Sequence, residues 1–307
     1  AGGRPPLQKG RRPMKKILMI GTGGTIASEM TEAGLAPGMA GADFLRYVPA
    51  VRRLCQVDPI QVCNIDSTDM TPNHWLAIAR AVEEHYDDYD GFVICHGTDT
   101  MAYTAAALSY LIQGSLKPIV ITGAQKPIDM ENTDARINLA DSLRFASCDR
   151  AYGVNLVFDG KAIAGTRAKK ERTKSYNAFS SINFPYVAVI QEDHILFYLD
   201  DKPLESQVRF YHNLNSRVVL LKLIPSMDAS ILEYMADHYE AVIIESFGVG
   251  GLPSYDSGDY YRAVKRLAAM GKTVIMTTQV TNEGSNMSVY EVGKNIKKEF
   301  GLLEAYD

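Results

Sequence analysis

The chain has 307 residues, of which 46% are hydrophobic and 22% charged, so it is long enough for one large domain or two, and we expect two. Its net charge of −4 and pI near 5.9 argue against a nucleic-acid partner, because an acidic surface repels polyanions. No segment reaches the ~20 apolar residues of a membrane span, and the four cysteines lack CxxC spacing, which favours free thiols over disulfides or zinc.

The first thirteen residues are rich in Gly, Pro and Arg and almost lack apolar side chains. Such a segment cannot bury enough surface to order itself. We therefore expect residues 1–13 to be a disordered tail or a cloning remnant, with Met14 as the natural start. The apolar run Ile17–Ile20 is too short for the core of a secretion signal, which favours a cytoplasmic protein.

The first strand runs into a glycine-rich loop around which we expect the rest of the chain to be organised. Ile17–Ile20 is continuously apolar, as in a strand buried on both faces of a parallel sheet. In Gly21–Ala27, three glycines let a small molecule approach the backbone, while Thr22 and Thr25 supply hydroxyls. A dinucleotide-binding fingerprint would need glycine in place of Ile26, and no Gly-Lys-Ser/Thr follows for a phosphate-binding loop.

The following elements alternate between strand and helix. After the glycine-rich loop we expect a long loop over residues 29–41, a short helix over 43–51 and a strand over 59–65. Thr71 and Pro72 then start a helix as N-cap and first helical residue. Later strands are predicted at 92–95, 118–122 and 154–158, and later helices at about 101–111 and 134–145. This alternation predicts a doubly wound, mostly parallel α/β sheet of Rossmann or flavodoxin type.

A second, smaller α/β domain is predicted from the last third of the chain. Residues 165–176 have the composition of a solvated basic loop, periodicity is lost over 191–216, and Asp200–Pro203 resembles an interdomain connection. Strands are then expected at 218–223, 241–245 and 273–277, and helices at 229–238 and 260–270. We therefore expect a catalytic domain over residues 14–190, a linker over 191–216 and the smaller domain over 217–307.

Hydroxyls and glycines coincide at the ends of three predicted strands. These ends carry Thr22 and Thr25, Thr98 and Asp99, and the Gly123–Ala124 turn. The ends of parallel strands lie on one edge of a sheet, so these groups are expected to converge in one crevice. A threonine hydroxyl becomes a nucleophile only beside an activating group. Asp99 adjoins Thr98, and a desolvated lysine such as Lys170 can lose its proton near neutral pH.

Three motifs together resemble the signature stretches of the bacterial-type L-asparaginase family: Gly21–Ala27, His96–Met101 and Ile121–Pro127. The similarity extends from about Met14 to the end of the chain. Asp66–Pro72 and Tyr86–Ile94 resemble its cytoplasmic type I branch. The resemblance implies hydrolysis of the side-chain amide of L-asparagine to L-aspartate and ammonia, through a threonine acyl-enzyme and without metal or organic cofactor.

The resemblance also assigns catalytic roles. Thr25 matches the primary nucleophile, Thr98 the second catalytic threonine and Lys170 the lysine paired with it. Only the match to the family motif selects Lys170 over the neighbouring Lys169. Asp99 matches the acid that holds the substrate ammonium group.

The remaining roles concern substrate binding. Ser67, with Thr68 beside it, matches the hydroxyl that receives the α-carboxylate. The backbone amides of Thr98 and Ala124 match the pair that stabilises the oxyanion. Family sites are commonly completed by a neighbouring subunit, so the resemblance implies a homodimer or homotetramer, with Glu283 as the candidate contribution from the neighbour.

Two features depart from the family pattern. Leu35 stands where many members carry a tyrosine that helps to activate the first threonine. The chain also stops at Asp307, where members usually continue through a further helix, so we expect it to be truncated there.

Three other functions are compatible with the same residues. One is a broader amidase that also accepts glutamine, and another is an amidotransferase subunit acting on a tRNA-linked amide, although such subunits usually carry an extra N-terminal domain. The third is a binding or sensing module that kept the crevice and lost catalysis. His96 is expected to hold the loop by hydrogen bonds rather than to act as an acid or base.

Overall fold

The computed structural model describes residues 13–31, 34–37, 45–199, 203, 205–253, 258–289 and 301–305, with the backbone alone for 27–37 and 289. The chain divides into two compact units between Asn213 and Leu214. Of the predicted tail, only Pro13 is among the described residues. Within the described ranges, no helix is long and apolar enough to cross a membrane.

Among its described residues, the first unit contains a large sheet, several short strands and three α-helices. Its strands are β1 (Lys15–Gly23), β2 (Ser28–Thr31), β3 (Gly34–Pro37), β4 (Cys55–Ile65), β5 (Gly91–Cys95), β6 (Ile112–Gln113), β7 (Pro118–Thr122), β8 (Gly153–Phe158), β9 (Lys161–Ala164), β10 (Ala168–Lys170), β11 (Phe179–Ser181), β12 (Ala188–Gln191), β13 (His194–Phe197) and β14 (Arg209–Phe210). Its α-helices are α1 (Pro72–Glu84), α2 (Met101–Leu111) and α3 (Ala135–Ala146).

The large sheet has the strand order β13-β12-β9-β8-β7-β5-β1-β4. Strands β4, β1, β5, β7 and β8 run parallel, and β9, β12 and β13 extend the sheet in antiparallel fashion. Numbered by sequence, the parallel strands follow the flavodoxin-like order 2-1-3-4-5, which reverses between β1 and β5. The predicted fold class is therefore confirmed, and ligands are expected beyond the carboxyl ends of β1 and β5.

Each face of this sheet is covered by helices. Side chains alternate along a strand, so β1 directs Ile17 and Met19 to the face covered by α3, and Leu18 and Ile20 to the face covered by α1 and α2. All four side chains are at most 1% exposed. The continuous apolar run in the sequence thus reflects burial on both faces.

Three segments differ from their predicted structure. The predicted long loop over residues 29–41 includes the hairpin of β2 and β3, which is too short to show periodicity. The helix predicted over 43–51 is a turn followed by a 3₁₀ helix, Pro49–Arg53, while residues 43 and 44 lie outside the described residues. The basic loop over 165–176 begins with β10, which pairs with β11.

The predicted linker over residues 191–216 also contains regular structure. Strand β13 pairs with β12 in the large sheet, and β14 pairs with β6. Most of the predicted connection at Asp200–Pro203 lies outside the described residues. The four cysteines are free thiols, as predicted.

The second unit is a small parallel sheet with helices. It comprises β15 (Val218–Lys222), α4 (Ser230–His238), β16 (Ala241–Ser246), α5 (Asp259–Ala269), β17 (Thr273–Thr278) and β18 (Leu303–Glu304). The strands are neighbours in chain order, and every pair is parallel. Its core includes Leu232, Val242, Ile244 and Val264, each fully buried.

Candidate active site

The ends of β1 and β5 are in backbone contact at two glycines. A β-carbon built on Gly24, where φ is +80°, would lie 2.3 Å from the amide nitrogen of Gly97. A β-carbon on Gly97 would lie 2.6 Å from Ser67 Oγ. Only glycine permits these approaches. Because Thr25 and Thr98 each follow one of the two glycines, their backbones and the Ser67 side chain belong to one small region.

The end of β7 joins the same region. A β-carbon on Gly123 would lie 2.2 Å from the carbonyl oxygen of His96. The next residue, Ala124, is fully buried. Three strand ends that are far apart in the sequence therefore meet, as the doubly wound fold predicts.

Lys170 connects two of the predicted site residues. Its Nζ donates to Thr98 Oγ1 at 2.8 Å and to Asp99 Oδ1 at 2.7 Å. The lysine side chain is 16% exposed, whereas that of Asp99 is 60% exposed. A carboxylate has two oxygens, so Asp99 can bind Lys170 with Oδ1 and still offer Oδ2 to a cationic group in the crevice.

The alternation of strand β10 explains why Lys170 reaches this site. Ala168–Lys170 is antiparallel to Phe179–Ser181, with Lys170 opposite Phe179 and Lys169 opposite Ser180. Consecutive side chains of a strand point to opposite faces. Lys170 is therefore directed at Thr98, while Lys169 lies on the other face and is exposed.

Gln125 also contacts Thr98. The Thr98 hydroxyl donates to Gln125 Oε1 at 3.3 Å, and Gln125 Nε2 donates to the carbonyl oxygen of Ser175 at 3.2 Å. A carbonyl can only accept a hydrogen bond, so the amino group of Gln125 must face Ser175 and its oxygen must face Thr98. Gln125 thereby links the Thr98 hydroxyl to the segment after β10.

Two buried side chains hold the turn that carries Ala124 and Gln125. Asp134 is the N-cap residue of α3, and Asn138 lies in the first turn of that helix. The Asp134 carboxylate accepts from the backbone N–H of Gln125 at 2.9 and 3.1 Å and from that of Lys126 at 3.1 Å. Asn138 Nδ2 donates to the Gly123 carbonyl at 3.0 Å. Burial raises the pKa of Asp134, and the backbone donors partly offset this.

Ser67 and Thr68 lie in a 3₁₀ turn, Ser67–Asp69, capped by Asp66. The backbone N–H and the hydroxyl of Thr68 both donate to Asp66 Oδ1 at 2.8 Å. Both donors of Thr68 are thus directed at Asp66, whereas the buried Ser67 side chain contacts Gly97. Of the two predicted carboxylate-binding residues, Ser67 has the better geometry.

Thr22 does not belong to the crevice. Its side chain is 1% exposed, and its hydroxyl donates to the carbonyl oxygen of Cys95 at 2.9 Å. The expectation that both threonines of the glycine-rich loop present hydroxyls to a ligand is therefore wrong for Thr22. Its hydroxyl instead joins the ends of β1 and β5.

Comparison with known proteins identifies the family. Residues 16–204 match the family model described as asparaginase, N-terminal, and residues 217–307 match the glutaminase/asparaginase C-terminal domain. The chain belongs to the asparaginase family. The family resemblance predicted from the three motifs is thereby confirmed.

Two curated relatives cover nearly the whole chain. The L-asparaginase of Thermococcus kodakarensis is 37% identical over 295 residues, which cover 95% of this chain and 88% of that protein. A subunit of the glutamyl-tRNA(Gln) amidotransferase of Pyrococcus furiosus is 35% identical over 311 residues, covering 97% of this chain and 70% of that protein.

Solved asparaginase structures have the same fold. The thermostable L-asparaginase from Thermococcus kodakarensis superposes with a TM-score of 0.88 at 37% identity, covering 95% of this chain and 88% of that one. L-asparaginase I from Vibrio cholerae gives a TM-score of 0.82 at 28% identity, with coverage of 96% and 88%.

Two further family positions, Leu35 and Glu283, were singled out in the sequence. Leu35 lies in β3, where its backbone pairs with Met30, and its side chain is outside the described residues. Glu283 is an exposed residue of the second unit with φ of +77°. A positive φ is uncommon for a residue other than glycine, so the turn around Glu283 has an unusual backbone conformation.

Sequence reasoning missed several residues that hold the site of this asparaginase-family chain. Gln125, Asp134 and Asn138 were not assigned a role, although the last two are four residues apart on one helix and so share a face. Gln125 lies within the motif Ile121–Pro127, and the four-residue spacing of Asp134 and Asn138 at the start of α3 is a signal that could have indicated those two. Across the described residues, no group of three or more His, Cys, Asp or Glu side chains is arranged to hold a metal ion.

Proposed function

We propose that the chain hydrolyses the side-chain amide of L-asparagine to L-aspartate and ammonia through an ester on Thr25. The proposal rests above all on Lys170, whose Nζ lies 2.8 Å from Thr98 Oγ1 and 2.7 Å from Asp99 Oδ1, close to the glycine loop that carries Thr25. The curated and solved relatives named L-asparaginase support the choice of substrate.

The first half of the proposed reaction forms the ester. Thr25 Oγ1 attacks the side-chain amide carbon, the bond between that carbon and its nitrogen breaks, and the proton of the threonine hydroxyl leaves with the nitrogen as ammonia. Negative charge that develops on the amide oxygen is stabilised by the backbone N–H groups of Thr98 and Ala124. Loss of one such donor typically costs about 3 kcal/mol of barrier.

The second half hydrolyses the ester. A water molecule attacks the ester carbon and gives one proton to the departing Thr25 oxygen. Its other proton passes through the Thr98 hydroxyl towards Lys170 and then to solvent, leaving L-aspartate. A relay of this kind requires donor and acceptor within hydrogen-bond reach, as Thr98 and Lys170 are.

Substrate recognition uses the polar groups around the two threonines. Asp99 holds the substrate ammonium group through the oxygen that does not contact Lys170, and Ser67 receives the α-carboxylate. Thr68 lies beside Ser67, with its own donors directed at Asp66. Since protein groups alone supply the nucleophile, the oxyanion donors and the proton relay, the proposed reaction uses no metal or organic cofactor.

We further propose the assembly and location that the family resemblance implies. The chain acts as a cytoplasmic homodimer or homotetramer, and Glu283 of one copy helps to complete the site of another. The exposure of Glu283 and its uncommon positive φ are the observations that support such a role. The predicted catalytic domain over residues 14–190 is then part of the first unit, which also includes β13 and β14 and extends to Asn213, and the smaller domain over 217–307 lies in the second unit.

A second candidate function is the ammonia-releasing subunit of an amidotransferase. It is favoured by the 35% identity to the amidotransferase subunit of Pyrococcus furiosus, of which this chain covers 70%. An enzyme of this kind, or a broader amidase, would turn over glutamine as well as asparagine. Relative turnover of the two amino acids therefore separates the candidates.

The test is ammonia release by the purified chain from L-asparagine and from L-glutamine, with Thr25→Ala as the inactive control. We expect rapid release from L-asparagine, at least tenfold slower release from L-glutamine, and loss of both in Thr25→Ala. Robust glutamine turnover without asparagine turnover would overturn the proposed substrate. Binding of asparagine without ammonia release would indicate the sensing module instead.

A further inference from the structure

A buried chain of three side chains ends at the backbone of the proposed site. Trp75 Nε1 donates to Thr104 Oγ1 at 2.9 Å, Thr104 Oγ1 lies 2.8 Å from His96 Nε2, and His96 Nδ1 lies 2.7 Å from the carbonyl oxygen of Gly97. Trp75 belongs to α1, Thr104 to α2, and His96 follows β5. His96 and Thr104 are completely buried. Three separate elements thus converge on the carbonyl of Gly97.

Chemistry fixes the direction of every hydrogen bond in this chain. The indole N–H of Trp75 can only donate, and the Gly97 carbonyl can only accept. Burial lowers the pKa of His96 to about 4, so the ring is neutral at pH 7 and has one N–H. That hydrogen must lie on Nδ1, because Nδ1 faces a carbonyl. Nε2 is then an acceptor, and the Thr104 hydroxyl donates to it while accepting from Trp75.

The Gly97 carbonyl is rigidly coupled to the amide of the next residue. The peptide group is planar and its C=O and N–H point in opposite directions when the bond is trans, and the described residues contain no cis peptide. Holding the Gly97 oxygen on His96 therefore directs the N–H of Thr98 away from the core. This N–H is one of the two proposed oxyanion donors, and it adjoins the contacts of Gly97 with Gly24 and Ser67.

We propose that His96, Thr104 and Trp75 are positioning residues that aim the Thr98 backbone N–H at the developing oxyanion. None of them touches substrate. Each side chain in the series donates its hydrogen bond to the next one, and His96 donates to the Gly97 carbonyl. Rotation of the Gly97–Thr98 peptide would break the last bond and leave a buried polar group unpaired. The expected effect on reaction rate rests on the proposed amide hydrolysis. The expected tautomer of His96 does not depend on that function.

Thr104 gives the sharpest test because two substitutions separate its hydroxyl from its methyl group. Thr104→Val keeps the shape and removes the donor to His96, whereas Thr104→Ser keeps the donor and removes a methyl group. We expect kcat for L-asparagine to fall about tenfold in Thr104→Val, less than the 10²- to 10³-fold typical when an oxyanion donor is deleted. KM should change less than about twofold in both variants, and kcat of Thr104→Ser should stay within about threefold of wild type.

His96 offers an independent pair of variants in case Thr104→Val folds poorly. An asparagine side chain places an N–H near the position of histidine Nδ1, so His96→Asn retains a donor for the Gly97 carbonyl, whereas His96→Leu does not. We expect His96→Asn to keep at least about one third of kcat and His96→Leu to lose about tenfold or more. Thermal unfolding of each variant identifies any loss that is due to unfolding.

A spectroscopic measurement tests the inference without substrate. Nitrogen-15 NMR of histidine-labelled protein distinguishes a protonated from an unprotonated ring nitrogen, and the spectrum of His96→Asn assigns the His96 signals. We expect the Nδ1–H form at pH 7 in wild type, Thr104→Ser and Thr104→Val, with a shifted Nε2 signal in Thr104→Val alone, because only that variant lacks the hydroxyl that donates to Nε2.

The outcomes separate this inference from the proposed function. An Nε2–H or charged His96 in wild type would overturn the inference even if asparagine were not a substrate. An unchanged kcat in Thr104→Val would also overturn it. Equal losses of kcat in Thr104→Val and Thr104→Ser would do the same, because a packing defect would then explain both losses without the hydrogen bond to His96. A wild-type protein that releases no ammonia but shows the Nδ1–H form would remove the proposed function and leave the positioning network intact.

Discussion

Replacing Gly24 by alanine should separate the two strand ends that carry Thr25 and Thr98, the proposed catalytic threonines. A β-carbon at this position would lie 2.3 Å from Gly97 N and 2.4 Å from Gly97 Cα, whereas ordinary contacts begin near 3.4 Å. The two backbones must therefore move apart by about 1 Å. A misplacement of about 1 Å in an active site can cost roughly 10²-fold in rate. We expect kcat/KM for L-asparagine to fall by about that factor in Gly24→Ala.

Gly153→Ala is the matched control for this substitution. Gly153 also has a positive φ, +65°, but a β-carbon there would meet no atom within 4 Å. Both variants incur the backbone cost of a left-handed alanine, about 1–2 kcal/mol, and only Gly24→Ala disturbs the site. Ammonia release and thermal unfolding are measured for both. If Gly24→Ala were as active as Gly153→Ala, the close approach of the two strand ends would not matter for catalysis.

Lys170→Met should lower kcat for L-asparagine by about 10²-fold or more, because it removes the proton relay. Lys169→Met, on the opposite face of β10, should stay within about threefold, and the reverse pattern in the ammonia assay would show that the wrong lysine was assigned. Thr98→Ala should leave the melting temperature nearly unchanged while activity falls about 10³-fold; retained activity would contradict its role. Burial raises the pKa of the Asp141 carboxyl from 3.8 to about 6. The protonated carboxyl does not destabilise the fold below about pH 4, whereas the buried carboxylate increasingly does so as the pH rises through about 6. In urea unfolding, the free energy of unfolding of Asp141→Asn should exceed that of wild type by up to about 3 kcal/mol at pH 7.5 and should equal it at pH 4. A difference that does not depend on pH would show that burial of the ionised carboxylate is not its cause.

The sequence was sufficient for the parallel part of the large sheet, because most of those strands are continuously apolar, but it did not predict the antiparallel strands β9, β12 and β13. Runs such as Ile17–Ile20 can only be buried on both faces, and with intervening helices this implies a parallel, doubly wound sheet. The hairpin of β2 and β3 and the strand β13 were missed for the opposite reason. They are four residues each, which is too short to show a clear period, and they acquire their conformation from their pairing partners.

The candidate site was predictable in part. Glycines and hydroxyls at strand ends indicate a crevice, because the topology brings such ends together. The supporting groups could not be predicted, since their signal lies in contacts over long sequence distances. Gln125 meets a loop 50 residues away, and Trp75 meets Thr104 across 29 residues. The alternation that distinguishes Lys170 from Lys169 also required knowing that β10 is a strand.

The proposed function requires Thr25 to form an ester with the substrate while Thr98 and Lys170 serve its hydrolysis. It is tested most directly by acid quench of the enzyme during turnover of L-asparagine, followed by mass spectrometry of its peptides, with Lys170→Met used to slow ester breakdown. We expect one added aspartyl group on the peptide that contains Thr25, and none in Thr25→Ala. An aspartyl group on Thr98, or full turnover by Thr25→Ala, would contradict the claim.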